Sequence, residues 1–246
     1  MVRRRTGRQN AAPGLIRRAA ALALLAAPAP ALAQAYQCSP PEGRIAVPPI
    51  VRGDEVRARV TGYMLAASWS PEYCRGRERS AADARQCSGR AGRFGMVLHG
   101  LWPQGAARSP QWCRPATTPS SADLRPMMCM TPSSRLLAHE WSKHGTCMTP
   151  RPAVYFAKAR ELWGAIRWPD FDRLSRQRGL TAGDVRRAFA DANPGWRPGD
   201  VAIEVNRRGW LEGVRLCYRL DYRPRPCRAG QLGPADGVRI SIWRGL

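Results

Sequence analysis

Histidine can accept and donate a proton near neutral pH, and this chain contains only three of them. His99 begins the segment His-Gly-Leu-Trp-Pro-Gln, while His139 and His144 begin and end the segment His-Glu-Trp-Ser-Lys-His. A single histidine in a protein is more often structural than catalytic. Three histidines confined to two short segments of polar and aromatic residues indicate instead that the segments form one acid–base site.

Lysine is distributed as unevenly, because all but two of the 40 basic residues are arginine and one of the two lysines, Lys143, lies between Glu140 and His144. A compact ammonium differs from a guanidinium in size and hydration, which favours a specific role over a solvated helix position. On a helix, Glu140 lies one turn from His144 and His139 one turn from Lys143. The second segment therefore predicts a carboxylate, an ammonium and two imidazoles on neighbouring ridges.

The second segment is close to a zinc-protease signature, in which two histidines four residues apart bind one metal from the same helix face. His139 and His144 are five residues apart, which turns one about 140° from the other on an α-helix. This spacing disfavours joint chelation. We therefore expect no metal and no other cofactor, and a zinc peptidase is the disfavoured alternative.

Two imidazoles without a metal suit one reaction of RNA. Its 2′-hydroxyl can attack the adjacent phosphorus if one group removes a proton and another protonates the leaving 5′-oxygen. A lysine nearby would neutralise the charge that builds on the phosphoryl oxygens. Trp102 could stack on a base, although a tryptophan beside a strand also fits a core position.

The elements that must carry these residues follow from the residue pattern. Residues 59–70 and 93–102 read as strands, and residues 201–205, 211–220 and 238–243 as strands of the C-terminal part. The segments 72–93 and 105–130 read as loops. His99 is thus placed on a strand.

Helices are predicted where apolar residues recur at helical spacing. Ser133 can cap a helix that runs through His144, proline at position 152 can open one that reaches about residue 167, and Thr181 with Asp184 can open one at residues 182–192. These helices and non-alternating strands predict an α+β fold with a central antiparallel sheet, packed with several helices.

Composition limits the class of protein. The chain has 246 residues with 44% hydrophobic content, which excludes a disordered or fibrous protein. Its formal net charge of +22 favours a polyanionic partner such as RNA, although arginine enrichment could also reflect a biased genome. No repeat or linker divides residues 35–246, so we expect one domain, and we expect a monomer without an obligate protein partner.

The first 34 residues resemble an export signal. Arginines precede an apolar run at residues 19–27, and Ala31-Leu-Ala33 fits a cleavage site. A membrane anchor is the alternative, but prolines at positions 28 and 30 interrupt the run well short of the roughly 20 residues needed to span a bilayer. We expect secretion to the periplasm or outside the cell, without membrane insertion after cleavage.

Eight cysteines follow the signal, and an even number in an oxidising compartment favours disulfides. Zinc binding is the alternative, but no two of these cysteines have the two-to-four-residue spacing usual for structural zinc ligands.

Taken together, the two histidine segments resemble the paired active-site signatures of the ribonuclease T2 family, whose secreted acid ribonucleases occur in fungi, plants, animals and bacteria; we expect a bacterial member. Further segments within about residues 60–230 are similar to family sequence. They are Leu65–Pro71 with Cys74, Phe94–Gln104, Gln111–Cys113, Asn193–Gly195 and Val214–Tyr218 with Pro224–Cys227.

The resemblance implies an endoribonuclease with the α+β fold, cleavage through a 2′,3′-cyclic phosphate to 3′-phosphate products, and no metal requirement. It implies His99 as proton donor and His144 as proton acceptor, although these two roles could be exchanged. Glu140 and Lys143 would stabilise the pentacoordinate phosphorus, and His139 would hold phosphate. A basic RNA-binding or toxin-like protein without catalysis is the alternative, against which the intact site residues argue.

The same likeness suggests the bridges Cys113–Cys147 and Cys217–Cys227. Cys74–Cys87 is a reasonable local pair, which leaves Cys38 with Cys129. Many relatives have Asp where Gln104 stands, at a position tied to base recognition. An amide offers donors as well as an acceptor, so the base preference stays open.

Overall fold

A computed structural model describes Met1 and residues 35–245 of the chain. The predicted export signal at residues 1–34 therefore lies, apart from Met1, outside the described residues. The signal and the domain boundary that follows it stay predictions. In the part of the chain that is described, no helix combines the length and the apolar character needed to cross a membrane.

The described residues form two antiparallel sheets, whose strands are β1 (Ala35–Tyr36), β2 (Val60–Trp69), β3 (Arg93–Phe94), β4 (Met96–Gly105), β5 (Val201–Val205) and β6 (Leu211–Tyr218). The central sheet has the order β4-β2-β6-β5, and β1 pairs with β3 separately. With the helices described below, this confirms the predicted α+β class with a central antiparallel sheet.

The two faces of the central sheet differ because successive side chains of a strand point to opposite sides. Leu65 of β2 pairs with Leu101 of β4 and with Leu216 of β6, and all three are fully buried under the helices. One residue earlier, Met64 pairs with Trp102. This second face carries a smaller apolar cluster and leaves room for a cleft.

Seven α-helices are seen in the described residues: α1 (Ser70–Cys74), α2 (Ala84–Cys87), α3 (Ser121–Leu124), α4 (Ser134–Lys143), α5 (Pro152–Gly164), α6 (Phe171–Ser175) and α7 (Ala182–Ala192). Ser133 caps α4 by accepting a hydrogen bond from the Leu136 amide. Thr181 and Asp184 form the capping box of α7. Both predicted caps are confirmed. Each cap joins residues three positions apart, so the local sequence was enough to predict it.

Some predicted elements are wrong in detail. Residues 72–93 and 105–130 are not plain loops, since the first holds most of α1 and all of α2 and the second holds α3. These helices, like the unpredicted α6, have only four or five residues, too few to show a helical period. The predicted helix through residue 167 stops at Gly164.

The predicted strand at residues 238–243 is also wrong. Its alternation is real, since Ile240 and Ile242 are buried in the main core. Its pairing, however, consists of single bridges from Arg239 to Thr181 and from Ser241 to Trp210. The segment crosses between two partners and therefore never forms a ladder.

All eight cysteines lie in the described residues and form four disulfides: Cys38–Cys129, Cys74–Cys87, Cys113–Cys147 and Cys217–Cys227. The expected disulfide framework is therefore confirmed. Two of the bridges lie near the histidine segments. Cys113–Cys147 ties the chain just after α4 to the segment before it, and Cys217–Cys227 closes the turn that follows β6.

Candidate active site

His99 lies at an irregularity of β4. In the ladder between β2 and β4, Ala66 pairs with Gly100 and Ala67 pairs with Leu98, so His99 is an extra residue without a partner. Such a bulge bends the strand and redirects the side chain of the added residue. The imidazole reaches Ser68 of β2, whose hydroxyl lies 3.1 Å from His99 Nδ1.

The backbone around the bulge is held by side chains from other elements. Tyr155 of α5 is fully buried, and its hydroxyl accepts a hydrogen bond from the Leu101 amide at 3.2 Å and donates to the Leu101 carbonyl at 3.3 Å. The Thr131 hydroxyl donates to the Leu98 carbonyl at 2.6 Å. Backbone groups that make no hydrogen bond within the ladder thus find side-chain partners. These contacts hold the backbone on both sides of His99 in place.

The other site residues come from α4 and its end. Glu140 lies in the last turn of the helix and is buried. The structure corrects one expectation, because α4 ends at Lys143 and His144 is its C-cap. The His144 amide still donates to the Glu140 carbonyl at 2.9 Å, which keeps the two side chains one turn apart.

The Glu140 carboxylate is the centre of the arrangement. Its Oε1 lies 3.4 Å from His99 Nε2, and its Oε2 lies 4.0 Å from His144 Nε2. The Trp102 indole donates to Oε2 at 2.6 Å. The centroid of the Trp102 ring lies 5.5 Å from that of His99 and 5.4 Å from that of His144, so both imidazoles flank one indole and one carboxylate.

The two imidazoles differ in their exposure to solvent. His99 is partly exposed, whereas His144 is buried, and loss of solvation lowers the pKa of His144 to about 4 against the opposing attraction of Glu140. Burial acts to raise the pKa of Glu140, but its contacts with His99, His144 and Trp102 outweigh burial and lower it. Glu140 is therefore ionised and His144 is neutral near neutral pH.

Lys143 and His139 lie at the rim of the site. The Lys143 ammonium lies 5.1 Å from the centroid of the Trp112 ring, a cation–π distance. Partial burial, helped by the positive charge of Lys143, lowers the pKa of His139, while Glu140 opposes this shift. The rest of the His139 side chain is exposed to solvent.

All seven predicted site residues line one cleft of about 350 Å³: His99, Trp102, Gln104, His139, Glu140, Lys143 and His144. A larger, mainly apolar cavity of about 660 Å³ shares His99 and His139 with this cleft. Two openings therefore meet at His99. Among the described residues, no group of three or more His, Cys, Asp and Glu side chains is arranged to hold a metal ion.

Sequence reasoning missed five polar residues of the site: Ser68, Ser109, Gln111, Arg215 and Gln231. Ser68, Gln111 and Arg215 lie in segments that resemble family sequence, which was a usable signal. The Arg215 guanidinium lies 5.1 Å from the centroid of the Trp102 ring and pairs with Glu204. Neither Ser109 nor Gln231 carried any local signal.

Gly100 gives a first testable prediction. A Cβ at this position would lie 2.0 Å from Glu140 Oε2 and 2.8 Å from Trp102 Nε1, much closer than real atoms approach. Gly100→Ala must therefore displace a carboxylate that three groups hold. We expect the rate of RNA cleavage, the reaction that the sequence predicts, to fall about tenfold in the purified protein, the size of one weakened charged hydrogen bond. Gly164→Ala, at an open surface position, serves as the control; equal rates for the two variants would contradict the tight fit.

Comparison with known proteins gives a family match. The model of the Ribonuclease T2 family matches residues 60–182, which is half of the chain. A probable ribonuclease of Haemophilus influenzae is 38% identical over 138 residues, covering 50% of this chain and 49% of that protein. A ribonuclease of Aeromonas hydrophila is 43% identical over 90 residues, covering 35% of this chain and 36% of that protein. The chain thus spans half or less of the length of these curated relatives.

Solved structures show a similar fold. Trichomaglin, described as an S-like ribonuclease, superposes with a TM-score of 0.58 at 21% identity, covering 74% of this chain and 97% of that chain. At this identity the likeness concerns the fold alone. The matched residues 60–182 include both histidine segments and the elements that carry them.

Proposed function

Because the chain belongs to the ribonuclease T2 family, we propose that it is an endoribonuclease that cleaves single-stranded RNA by transferring the phosphodiester to the neighbouring 2′-hydroxyl. One observation carries this proposal. His99 and His144, from different elements, reach the two oxygens of the same carboxylate and line the same cleft. Two imidazoles so placed can act as base and acid on one phosphate without a metal.

The burial of His144 favours it as the base. With its pKa lowered to about 4, it is neutral near neutral pH, and its Nε2 lies 4.0 Å from Glu140 Oε2. It removes the proton of the 2′-hydroxyl as the 2′-oxygen forms a bond to phosphorus. His99 gives a proton to the 5′-oxygen as the bond from phosphorus to that oxygen breaks. The product is a 2′,3′-cyclic phosphate, which water then opens to a 3′-phosphate.

Glu140 stabilises the imidazolium that forms on His144, since its ionised carboxylate lies one turn away. Lys143 offsets the charge on the phosphoryl oxygens from the rim of the cleft, where His139 can also hold phosphate. Trp102 positions Glu140 through its indole and can stack on a base. The large cavity on the other side of His99 has room for the flanking nucleotide.

We also propose that the protein acts after export, in the periplasm or outside the cell, as a single-domain monomer. Four disulfides support an oxidising compartment. The strongly positive net charge supports association with RNA, whose backbone is a polyanion.

The test of the function uses the purified protein, RNA and an excess of chelator. We expect RNA to be cut and the new ends to carry 2′,3′-cyclic phosphates early and 3′-phosphates later. Loss of all cleavage under chelation, or ends that carry 5′-phosphates, would contradict the proposed mechanism. Binding of RNA without cleavage would favour a catalytically silent RNA-binding protein.

The lowered pKa of His144 predicts the pH dependence. The base must be unprotonated and the proton donor His99 protonated, so kcat/KM should rise with pH up to about 4, roughly tenfold per unit, and should rise no further above that pH. The measurement is the initial rate on a short oligonucleotide between pH 3 and pH 7. A rise that continues to the ordinary histidine value near 6.5 would contradict a buried His144 as the base.

The two lysines of the chain offer a matched comparison. Lys143 lines the cleft, whereas Lys158 pairs with Glu161 on the surface of α5. We expect Lys143→Ala to lower kcat about 30-fold, because one donor to the developing phosphoryl charge is lost. Lys158→Ala should leave kcat unchanged. Equal kcat values for the two variants would remove Lys143 from the mechanism.

A further inference from the structure

A C-terminal segment far from both histidine segments reaches into the cleft. Residues 228–236, which we term the strap, follow directly after the Cys217–Cys227 disulfide. Within the strap, Gln231 lies in a short 3-10 turn and lines the cleft together with Gln104. The Gln231 side-chain amide donates to Gln104 Oε1 at 2.9 Å.

The strap is fixed at both ends. Arg186 of α7, which is buried, donates to the Leu232 carbonyl at 2.7 Å and to the Pro234 carbonyl at 2.8 Å. At the other end, Arg228 donates to the Ala106 carbonyl at 2.6 Å, just beyond the end of β4. The anchored backbone places Gln231 where its contact with Gln104 is retained.

The strap also lies directly against the sheet. The Ile203 amide of β5 donates to the Leu232 carbonyl at 3.0 Å. Gly233 has a φ of 76°, and a Cβ there would lie 1.9 Å from the Ile203 carbonyl oxygen. The position therefore requires glycine, because the strap approaches the strand closely.

The contact fixes which atoms of Gln104 are free. Gln104 Oε1 accepts one hydrogen bond from Gln231 and another, at 3.2 Å, from the Ser109 hydroxyl. Both lone pairs of Gln104 Oε1 are therefore used. Gln104 Nε2 has only two long contacts, at 3.4 Å each, to the carbonyls of Trp102 and Pro103. Gln231 Oε1 accepts from the Arg228 amide at 3.3 Å. Gln104 thus offers N–H donors, now held in long contacts, to a ligand in the cleft, and its own oxygen is not a free acceptor.

We propose that Gln231 is a specificity-determining residue of the nucleobase site, which orients the Gln104 amide so that the site presents donors and favours uracil and guanine, the bases with an oxygen at position 4 or 6 of the ring. Cytosine and adenine present an amino group at the corresponding position, which a donor cannot satisfy. This inference rests on the proposed function, since it concerns the substrate of the same cleft. Gln231 touches no reacting atom, so it acts on binding and on KM.

The test uses four oligonucleotides that are 2′-O-methylated except at one ribonucleotide, which is U, G, C or A. We expect kcat/KM of the wild-type protein to be about tenfold higher on the U and G substrates than on the C and A substrates, the usual value of one hydrogen bond. The same four bases are compared by calorimetric binding of nucleoside 3′-monophosphates. Binding reports the preference even if the protein fails to cleave, so failure of the strap inference is distinguishable from failure of the proposed function.

Two substitutions test whether Gln231 causes the preference among the four bases. Gln231→Glu replaces the side-chain amide donor with a carboxylate. The Gln104 amide must then turn its nitrogen toward this carboxylate and its oxygen toward the base. The preference among the four bases should therefore reverse, with C and A ahead of U and G. Gln231→Met removes the contact without charge and should bring the four KM values within about twofold, with kcat unchanged. Gln177→Glu, an exposed position outside the cleft, should keep the wild-type order.

The outcomes are separable. Reversal by Gln231→Glu and flattening by Gln231→Met, with unchanged melting temperatures, support the inference. A wild-type preference for C and A overturns it. An unchanged order of rates and affinities in a folded Gln231→Glu protein, or, if that variant does not fold, in Gln231→Met, overturns it as well.

Discussion

Replacing either His99 or His144 with alanine is expected to lower the rate of RNA cleavage about 10³-fold, because each variant loses one of the two proton transfers of the reaction. The two imidazoles reach opposite oxygens of Glu140 within one cleft, so neither can substitute for the other. RNA affinity at fixed salt should change little, since most of it comes from the positive surface.

The rate measurement is made on a short oligonucleotide under single-turnover conditions, with binding measured on a fully 2′-O-methylated strand. The double variant should be about as slow as either single variant, because the two groups act as a unit. An active His99→Ala protein would remove the strand-borne acid from the mechanism. Parallel losses of affinity and rate would indicate a structural role for the histidine.

The second large effect is expected from Glu140. Glu140→Gln keeps the size of the side chain and can still accept the hydrogen bond of the Trp102 indole, but it removes the negative charge between the two imidazoles. The imidazolium on His144 then loses its counter-charge in a buried site. We expect kcat to fall about 10²-fold, with KM changed less.

The matched control is Glu161→Gln, which removes an exposed carboxylate from α5. It should leave kcat and KM as they are. Melting temperatures of both variants show whether the fold is intact. If Glu140→Gln retained the wild-type kcat while Glu140→Ala lost it, the carboxylate would act only through its shape and its contact with Trp102.

Much of this architecture could be predicted because it depends on short-range patterns. The caps at Ser133 and Thr181 follow from residues three positions apart, and β2 and β6 follow from their apolar residues. The three histidines marked the cleft because the chain contains no others.

Other features depend on partners that are distant in sequence. The bulge that turns His99 into the cleft exists only in the register between β2 and β4. Gln231 reaches Gln104 across 127 positions, through a strap that Arg186 holds from another helix. The end of α4 at Lys143 depends on the tight turn at residues 145–147, which the Cys113–Cys147 disulfide closes. No local pattern contains this information.

In the proposed mechanism, the 2′-hydroxyl attacks a phosphate held between the rings of His99 and His144. An RNA strand in which a single nucleotide lacks its 2′-hydroxyl distinguishes this attack from any other, when every cut is mapped beside those of the unmodified strand. We expect cleavage to disappear at the bond just 3′ of that nucleotide and to continue at the other bonds. Cleavage of that bond at an undiminished rate would contradict it.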